Sequence, residues 1–168
     1  MGMDHLLDNV VWNALNSSQK HFNAGTDTVK FFPADISPFI GMERWDDENV
    51  GLLIETIPAD RSFSVIKNGE VVLPSGLKTV FTTPLYQMFC PALNPCLIEG
   101  QQIKELTTED VPQMLDLTGR MKPGPFNRRT IEFGNYIGLF DREKLIAMAG
   151  ERLKRLSRCC PAACGIEA

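Results

Sequence analysis

The run Leu145-Ile146-Ala147-Met148-Ala149-Gly150 constrains this chain more than any other. Drawn as a strand, it is apolar on both pleat faces, with Leu145, Ala147 and Ala149 on one and Ile146 and Met148 on the other. A strand of this kind is interior, with neighbours at its edges and cover above and below. Residues 135–140 read as its antiparallel partner, and the charged stretch Asp141-Arg142-Glu143-Lys144 as the turn between them. The chain must therefore build a sheet with at least one fully covered strand, set against helices. The strand itself is drawn over residues 144–153.

Upstream of that hairpin, residues 103–106 read as a short strand and residues 110–120 as a helix. Val111, Met114, Leu115 and Thr118 fall on one helix face, and Pro112 is tolerated in the first turn if Asp110 is the cap. Residues 128–133 read as a short helical turn. The first half is less regular. A helix is expected over 9–18, and residues 29–32 and 39–42 are short apolar pieces interrupted by Pro33 and Pro38, so they read as extended segments or edge strands. Val50, Leu53, Ile54 and Ile57 recur at helical spacing behind the capping candidates Asp46 and Asp47, and Pro58 stops that helix. Residues 62–66 form a strand, Asn68-Gly69 signals a hairpin, and residues 71–73 are its return. Residues 78–90 are apolar and β-rich around Pro84, and residues 94–102 are a turn-rich link. The order β-α-(α)-β-β of the second half is α+β rather than a row of βαβ crossovers. Residues 28–90 and 103–153 suggest a weak internal duplication of element order.

Composition narrows the function. With 168 residues and 43% hydrophobic content, the chain can bury a core, and disorder is excluded as its main state. Seventeen Lys and Arg against 21 Asp and Glu leave a net charge of −4, which argues against a nucleic-acid partner. Apolar runs are too short to span a bilayer, and no basic segment precedes an apolar one at the start, so no membrane partner and a cytoplasmic location are expected. The five cysteines at 90, 96, 159, 160 and 164 read as free thiols in a reducing compartment. Cys159, Cys160 and Cys164 have no CxxC pair and no nearby His, so no metal site is expected. His5 and His21 have no companion Ser or Cys motif for a catalytic triad, and neither GxxxxGK[ST] nor GxGxxG is present.

The candidate site centres on residues 122–141. Pro123, Gly124 and Pro125 stiffen a loop that presents Phe126, either as a substrate wall or as a plug for the core. Arg128 and Arg129 can hold a carboxylate or phosphate in two-pronged fashion, or simply sit solvated at a helix start. Tyr136 is a candidate general acid, although a strand tyrosine more often packs its ring and makes one hydrogen bond. Glu132 and Glu151 are candidate bases. Glu151 follows the apolar strand and would sit near a cleft, or merely reach water.

Several stretches together resemble a known family. They are Glu109-Asp110-Val111-Pro112-x-Met114-Leu115-x-Leu117, Lys122-Pro123-Gly124-Pro125-Phe126, Arg129-Thr130-x-Glu132-x-Gly134-x-Tyr136-x-Gly138, and residues 145–153. They look like the first half of a GNAT-superfamily N-acetyltransferase domain, in the bacterial branch grouped with glycine N-acyltransferase-like proteins. Asp8-Asn9-x-x-Trp12-Asn13-Ala14-Leu15, Lys20-His21 and residues 31–39 look like the N-terminal, degenerate half-domain of the same proteins.

The resemblance implies a GNAT-like mixed or antiparallel sheet with helices, divided as an N-terminal half over 1–98, an incomplete acetyltransferase domain over 99–153 and an unrelated tail over 154–168. It also implies acetyl-CoA as co-substrate, a small-molecule or peptide amine as acceptor, and direct attack of the amine on the thioester. Members of the superfamily hold the cofactor's pyrophosphate at a Q/R-x-x-G-x-G/A loop opening a helix. No such motif occurs in the 168 residues. The expectation is a chain truncated or shifted in frame just past residue 153, inactive as it stands. Its strand 144–153 would have an open edge and would self-associate, dock another part of the chain, or leave the fold marginal. The alternative role is a non-catalytic binding or assembly module.

Overall fold

A computed structural model describes residues 7–57, 61–69, 75–86, 92 and 103–154. Expectations for His5, Cys90, Cys96, Cys159, Cys160 and Cys164, for the strand over 71–73, for the link over 94–102 and for the tail from 155 lie outside them. The described residues form an α+β fold with two three-stranded sheets.

The first sheet has the order β1-β2-β3, from strands Val29–Phe31, Phe39–Met42 and Ser64–Val65. β1 and β2 are antiparallel, whereas β3 joins β2 in parallel. The prolines at 33 and 38 do not demote β2 to an edge, because both precede its paired residues and Pro38 gives the ladder a carbonyl, which accepts the Ser64 amide at 2.9 Å, where no N–H is needed. β2 is central, and all four of its residues are buried. Helix α1 (Val10–Leu15) lies on this sheet, close enough that a side chain at Gly41 would meet the Trp12 backbone. α1 is shorter than the 9–18 expected. Asn16, Ser17 and Ser18 leave the helix, with the Ser17 hydroxyl donating back to the Asn13 carbonyl at 2.6 Å, a local bond that competes with the helix ladder. Helix α2 (Asp47–Thr56) begins as expected at Asp46, whose carboxylate accepts the Asn49 amide at 3.0 Å. Val50 and Leu53 enter the core, but Ile54 is 46% exposed. Residues 78–86 are not a strand. They are exposed throughout and in no regular structure.

The second sheet has the order β4-β5-β6, from Ile103–Glu105, Ile137–Asp141 and Lys144–Ala149, all antiparallel. Helix α3 (Val111–Met121) covers one face of it. Asp110 does not cap α3 forwards. Thr107 opens a single 3₁₀ turn over Thr108–Asp110, and the Asp110 carboxylate reaches back to the Thr107 amide at 2.8 Å. Pro112 sits in the first turn, where its missing N–H costs nothing. Lys122 ends the helix in the left-handed region at φ 49°. The two halves run β-β-α-β and β-α-β-β among the described residues, so they do not repeat one order of elements.

β6 departs from the expected alternation. A β-bulge opposite Leu139 and Phe140 pairs Phe140 with Leu145 and Leu139 with Ala147, leaving Ile146 as the extra residue. Leu145 and Met148, which simple alternation would separate, therefore share the buried face, and Ile146 is 42% exposed. Among the described residues β6 pairs only with β5 and is an edge strand.

One hydrophobic core joins the halves. Val11, Leu15, Phe32, Ile36 and Phe39 pack with Leu106, Met114, Leu117, Phe133, Tyr136, Leu145 and Met148. A second, separate cluster of Val29, Phe31, Ile40, Met42, Val50 and Leu53 belongs to the first half alone.

Candidate functional site

The candidate residues meet where the end of β6, the approach to β5 and the loop after α3 converge. Residues 122–126 leave the helix through left-handed Lys122, then through Gly124 at φ 132°, a conformation open to glycine and strained for other residues. Pro123, Gly124 and Pro125 are exposed, whereas Phe126 is half-buried against the shared core. Its ring stands edge-on to Tyr136 at 5.8 Å between centroids. Phe126 thus packs against the edge of the shared core with the stiff loop over it.

Tyr136 precedes β5 and is 1% exposed. Its ring lies so close to the backbone of Gly150 that a Cβ there would stand 2.2 Å from Cδ1. Only a residue without a side chain permits this stacking. The ring is thus held between Phe126 and Gly150, and its hydroxyl is out of contact with solvent. Glu151 and Arg152 continue from Gly150. The Glu151 carboxylate accepts from Asn135 Nδ2 at 2.9 Å and pairs with Lys154 at 3.1 Å. Arg152 Nη1 reaches within 4.0 Å of the position a side chain on Gly124 would take, so this guanidinium borders the Pro-Gly-Pro loop.

Two clasps fix this corner to the first half. Asn127 Nδ2, the Arg129 amide and the Thr130 hydroxyl donate in turn to the carbonyls of Ala34, Asp35 and Ile36, at 2.8, 3.0 and 2.6 Å. The Thr130 hydroxyl also accepts the Asn127 amide at 2.8 Å. On the other side, the Ser18 hydroxyl donates to the Lys154 carbonyl and Gln19 Nε2 to that of Arg152. Arg129 meets Glu132 with two nitrogens, at 2.6 and 2.8 Å, and Asp35 with a third at 3.1 Å. These carboxylates hold its pKa above the ordinary arginine value, Glu132 more than Asp35. The carboxylates that Arg129 grips are the protein's own, and Glu132, read as a candidate base, is one of them. Arg128 is exposed beside this network.

Sequence reasoning passed over Gln19, Asp35, Asn127, Thr130, Gly150 and Arg152 as parts of this corner. Gly150, a glycine closing an apolar strand, was the one visible signal. The others are polar residues whose partners lie about a hundred positions away in the chain, which no local pattern shows.

A second concavity is lined by Lys104, Asp110, Gln113, Phe140, Arg142 and Glu143. Lys104 Nζ binds both Asp110 oxygens at 3.1 and 3.4 Å and stands 5.4 Å over the Phe140 ring. Gln113 accepts the Leu145 amide and donates to the Glu143 carbonyl. The Thr107 amide, more than Lys104, holds the Asp110 carboxyl below the usual carboxylate value despite its burial. These contacts tie α3 to the β5–β6 turn.

The donor expected from the resemblance needs a helix N-terminus open to a pyrophosphate. α2 begins with Asp46, Asp47 and Glu48, and α3 with Glu109 and Asp110. Asp46 caps the start of α2, and Asp110 stands at the start of α3 with its carboxylate turned back to Thr107, so a negative charge at each start repels a further anion. Among the described residues neither long helix fits acetyl-CoA. No group of three or more metal-ligating side chains occurs among them, and none of their helices is long and apolar enough to cross a membrane.

No protein-family model and no curated protein matches the sequence. Its fold is similar to a solved structure from Novosphingobium aromaticivorans DSM 12444, described as an acetyltransferase from the GNAT family, with a TM-score of 0.70 and 23% identity. The superposition covers 90% of this chain and 66% of that protein, so the chain spans just under two thirds of its length. The α+β fold is thus GNAT-like.

Proposed function

We propose that this chain is an acyltransferase scaffold of the GNAT type, in the glycine N-acyltransferase-like branch, that carries the acceptor side of the site. Acetyl-CoA is the donor of that reaction class and a small-molecule or peptide amine the acceptor. The likeness in fold to a GNAT-family acetyltransferase over 90% of the chain is the observation that carries this reading. The placement of the Pro123–Phe126 loop, Tyr136, Glu151 and Arg152 at one corner supports an acceptor wall there. Phe126 offers an apolar surface, Arg152 a cation for an acceptor's acidic group, and Glu151 a carboxylate for its ammonium.

On this reading the 168-residue polypeptide does not carry out acyl transfer by itself. Its sequence has no Q/R-x-x-G-x-G/A motif, and both long helix starts bear acidic residues. Calorimetric titration with acetyl-CoA is expected to give no binding in the micromolar range, and a micromolar constant overturns this part. Titration with small carboxylated amines such as glycine, followed by amide shifts, is expected to move residues 124–126 and 150–152. Shifts confined to other residues, or none, overturn the acceptor assignment.

A second reading, a non-catalytic assembly module, is favoured by one observation. Among the described residues β6 offers an edge with no partner, next to a sheet face on which Ile103 and Ile137 are exposed.

A further inference from the structure

The molecule has two unsatisfied features of opposite kind. The first is an acceptor. β6 pairs only with β5, so one row of backbone groups along Lys144–Ala149 has no ladder partner among the described residues. Beside it the sheet face turned away from α3 is apolar. Register aligns Ile103 with Leu139 and Ala147, and Glu105 with Ile137 and Ala149. On this face Ile103 is 57% and Ile137 44% exposed.

The second is a donor. Residues 78–86 extend from the body with no hydrogen bond to any described residue. Their large side chains are almost wholly in solvent, with Val80 at 80%, Phe81 at 79%, Leu85 at 67% and Tyr86 at 89% exposed. The core Lys78-Thr79-Val80-Phe81-Thr82-Thr83 is β-branched and aromatic, the composition that suits a pleated surface. Pro84, which has no N–H to give a ladder, ends it. A six-residue segment thus faces a six-residue edge. Since Val80 and Phe81 point to opposite faces of any strand, the segment supplies an apolar side chain to each face of the sheet it joins.

We propose that residues 78–83 add as a fourth strand to the β6 edge of a second copy of this chain, giving a two-fold dimer by reciprocal strand exchange. The inference rests on the assembly reading and names its partner segment. The second copy is the occupant because the arm leaves the body at Leu77, which packs on the first half's separate cluster, whereas β6 belongs to the shared core. Each copy carries one donor and one acceptor, so exchange closes at two and leaves neither open. At roughly 150 Å² each, Val80 and Phe81 of two arms bury about 600 Å², and with a comparable area covered on the two acceptor sheets the total reaches the order of the ~1,200 Å² that a stable interface covers.

The test uses the full chain and a double variant, Phe81→Asp with Thr82→Pro, which removes one apolar contact and one ladder N–H from a segment that is exposed throughout. For the wild type, light scattering is expected to give a dimer that dissociates on dilution, with amides of 78–83 and 144–149 protected from exchange in the dimer alone. The variant is expected to be a monomer with unchanged circular dichroism and no protection at 144–149. A dimer that survives in the variant overturns the arm as donor and leaves assembly through β6 standing. A wild-type monomer with fast exchange at both segments overturns both. Protection of both segments that does not depend on concentration places the arm on its own chain and overturns the exchange.

Discussion

The two faces of the β4-β5-β6 sheet are made from the same three strands and behave as opposites. The face under α3 holds Leu106, Gly138, Leu145 and Met148, packed so closely that a side chain at Gly138 would stand 2.6 Å from both Leu106 and Leu145. The other face holds Ile103, Ile137, Leu139, Ala147 and Ala149, and is half open. Hydrophobicity is similar on the two, so composition does not decide which is core. What decides it is that α3 and the first half both dock on one side, and that a bulge turns Leu145 and Met148 towards it together.

That contrast can be broken first on the packed side. Leu145→Ala removes a fully buried side chain from the core that joins both halves and should cost about 2–5 kcal/mol by chemical denaturation. A loss below about 1 kcal/mol would mean that the two halves do not share a core. Gly150→Ala pushes a methyl into the Tyr136 ring and should cost about 1–3 kcal/mol. It should also move the aromatic resonances of Phe126 and Tyr136. Unchanged resonances would show that the stacked corner is not formed.

Smaller effects sharpen the picture. Asp110 has its pKa lowered from 3.8, chiefly by the Thr107 amide. A depressed carboxylate stabilises the fold fully above its unfolded value, and that contribution is lost as pH falls through the folded value. Unfolding measured from neutral pH down into the acid range should therefore show an acid loss that Asp110→Asn reduces. At neutral pH the same substitution should cost on the order of 1 kcal/mol, because the backward cap is weakened. An acid limb identical in the two proteins would refute the assignment. Last, Ile137→Thr on the open face should change monomer stability by no more than about 0.5 kcal/mol. A large loss would show that this face is covered within the monomer.

Legibility followed the range of the interactions. The start of α2 at Asp46, the placing of Pro112 in the first turn of α3, the turn over 130–133 and the hairpin of β5 and β6 all rest on contacts within a few residues, and the sequence shows them. The exposure of Ile54, the parallel pairing of β3 with β2 and the central place of β2 rest on contacts between distant segments. The same holds at the site. Pro123, Gly124, Pro125, Phe126 and Tyr136 stand out by residue type. That Arg129 spends its charge on Glu132 and Asp35, rather than facing outward to a ligand, required the loop over 34–36 to arrive from the first half.

By itself, then, the sequence determined the α+β class, the capped start of α2, the apolar hairpin and the absence of a pyrophosphate-loop motif. Each follows from backbone preferences and short-range periodicity that hold whatever else the chain does. Only the tertiary structure decided which side of that hairpin is core, where Ile146 bulges out of register, and which polar groups clasp the halves together. Those outcomes depend on which surfaces meet, and docking surfaces are set by volume, by unpaired backbone groups and by partners far away along the chain.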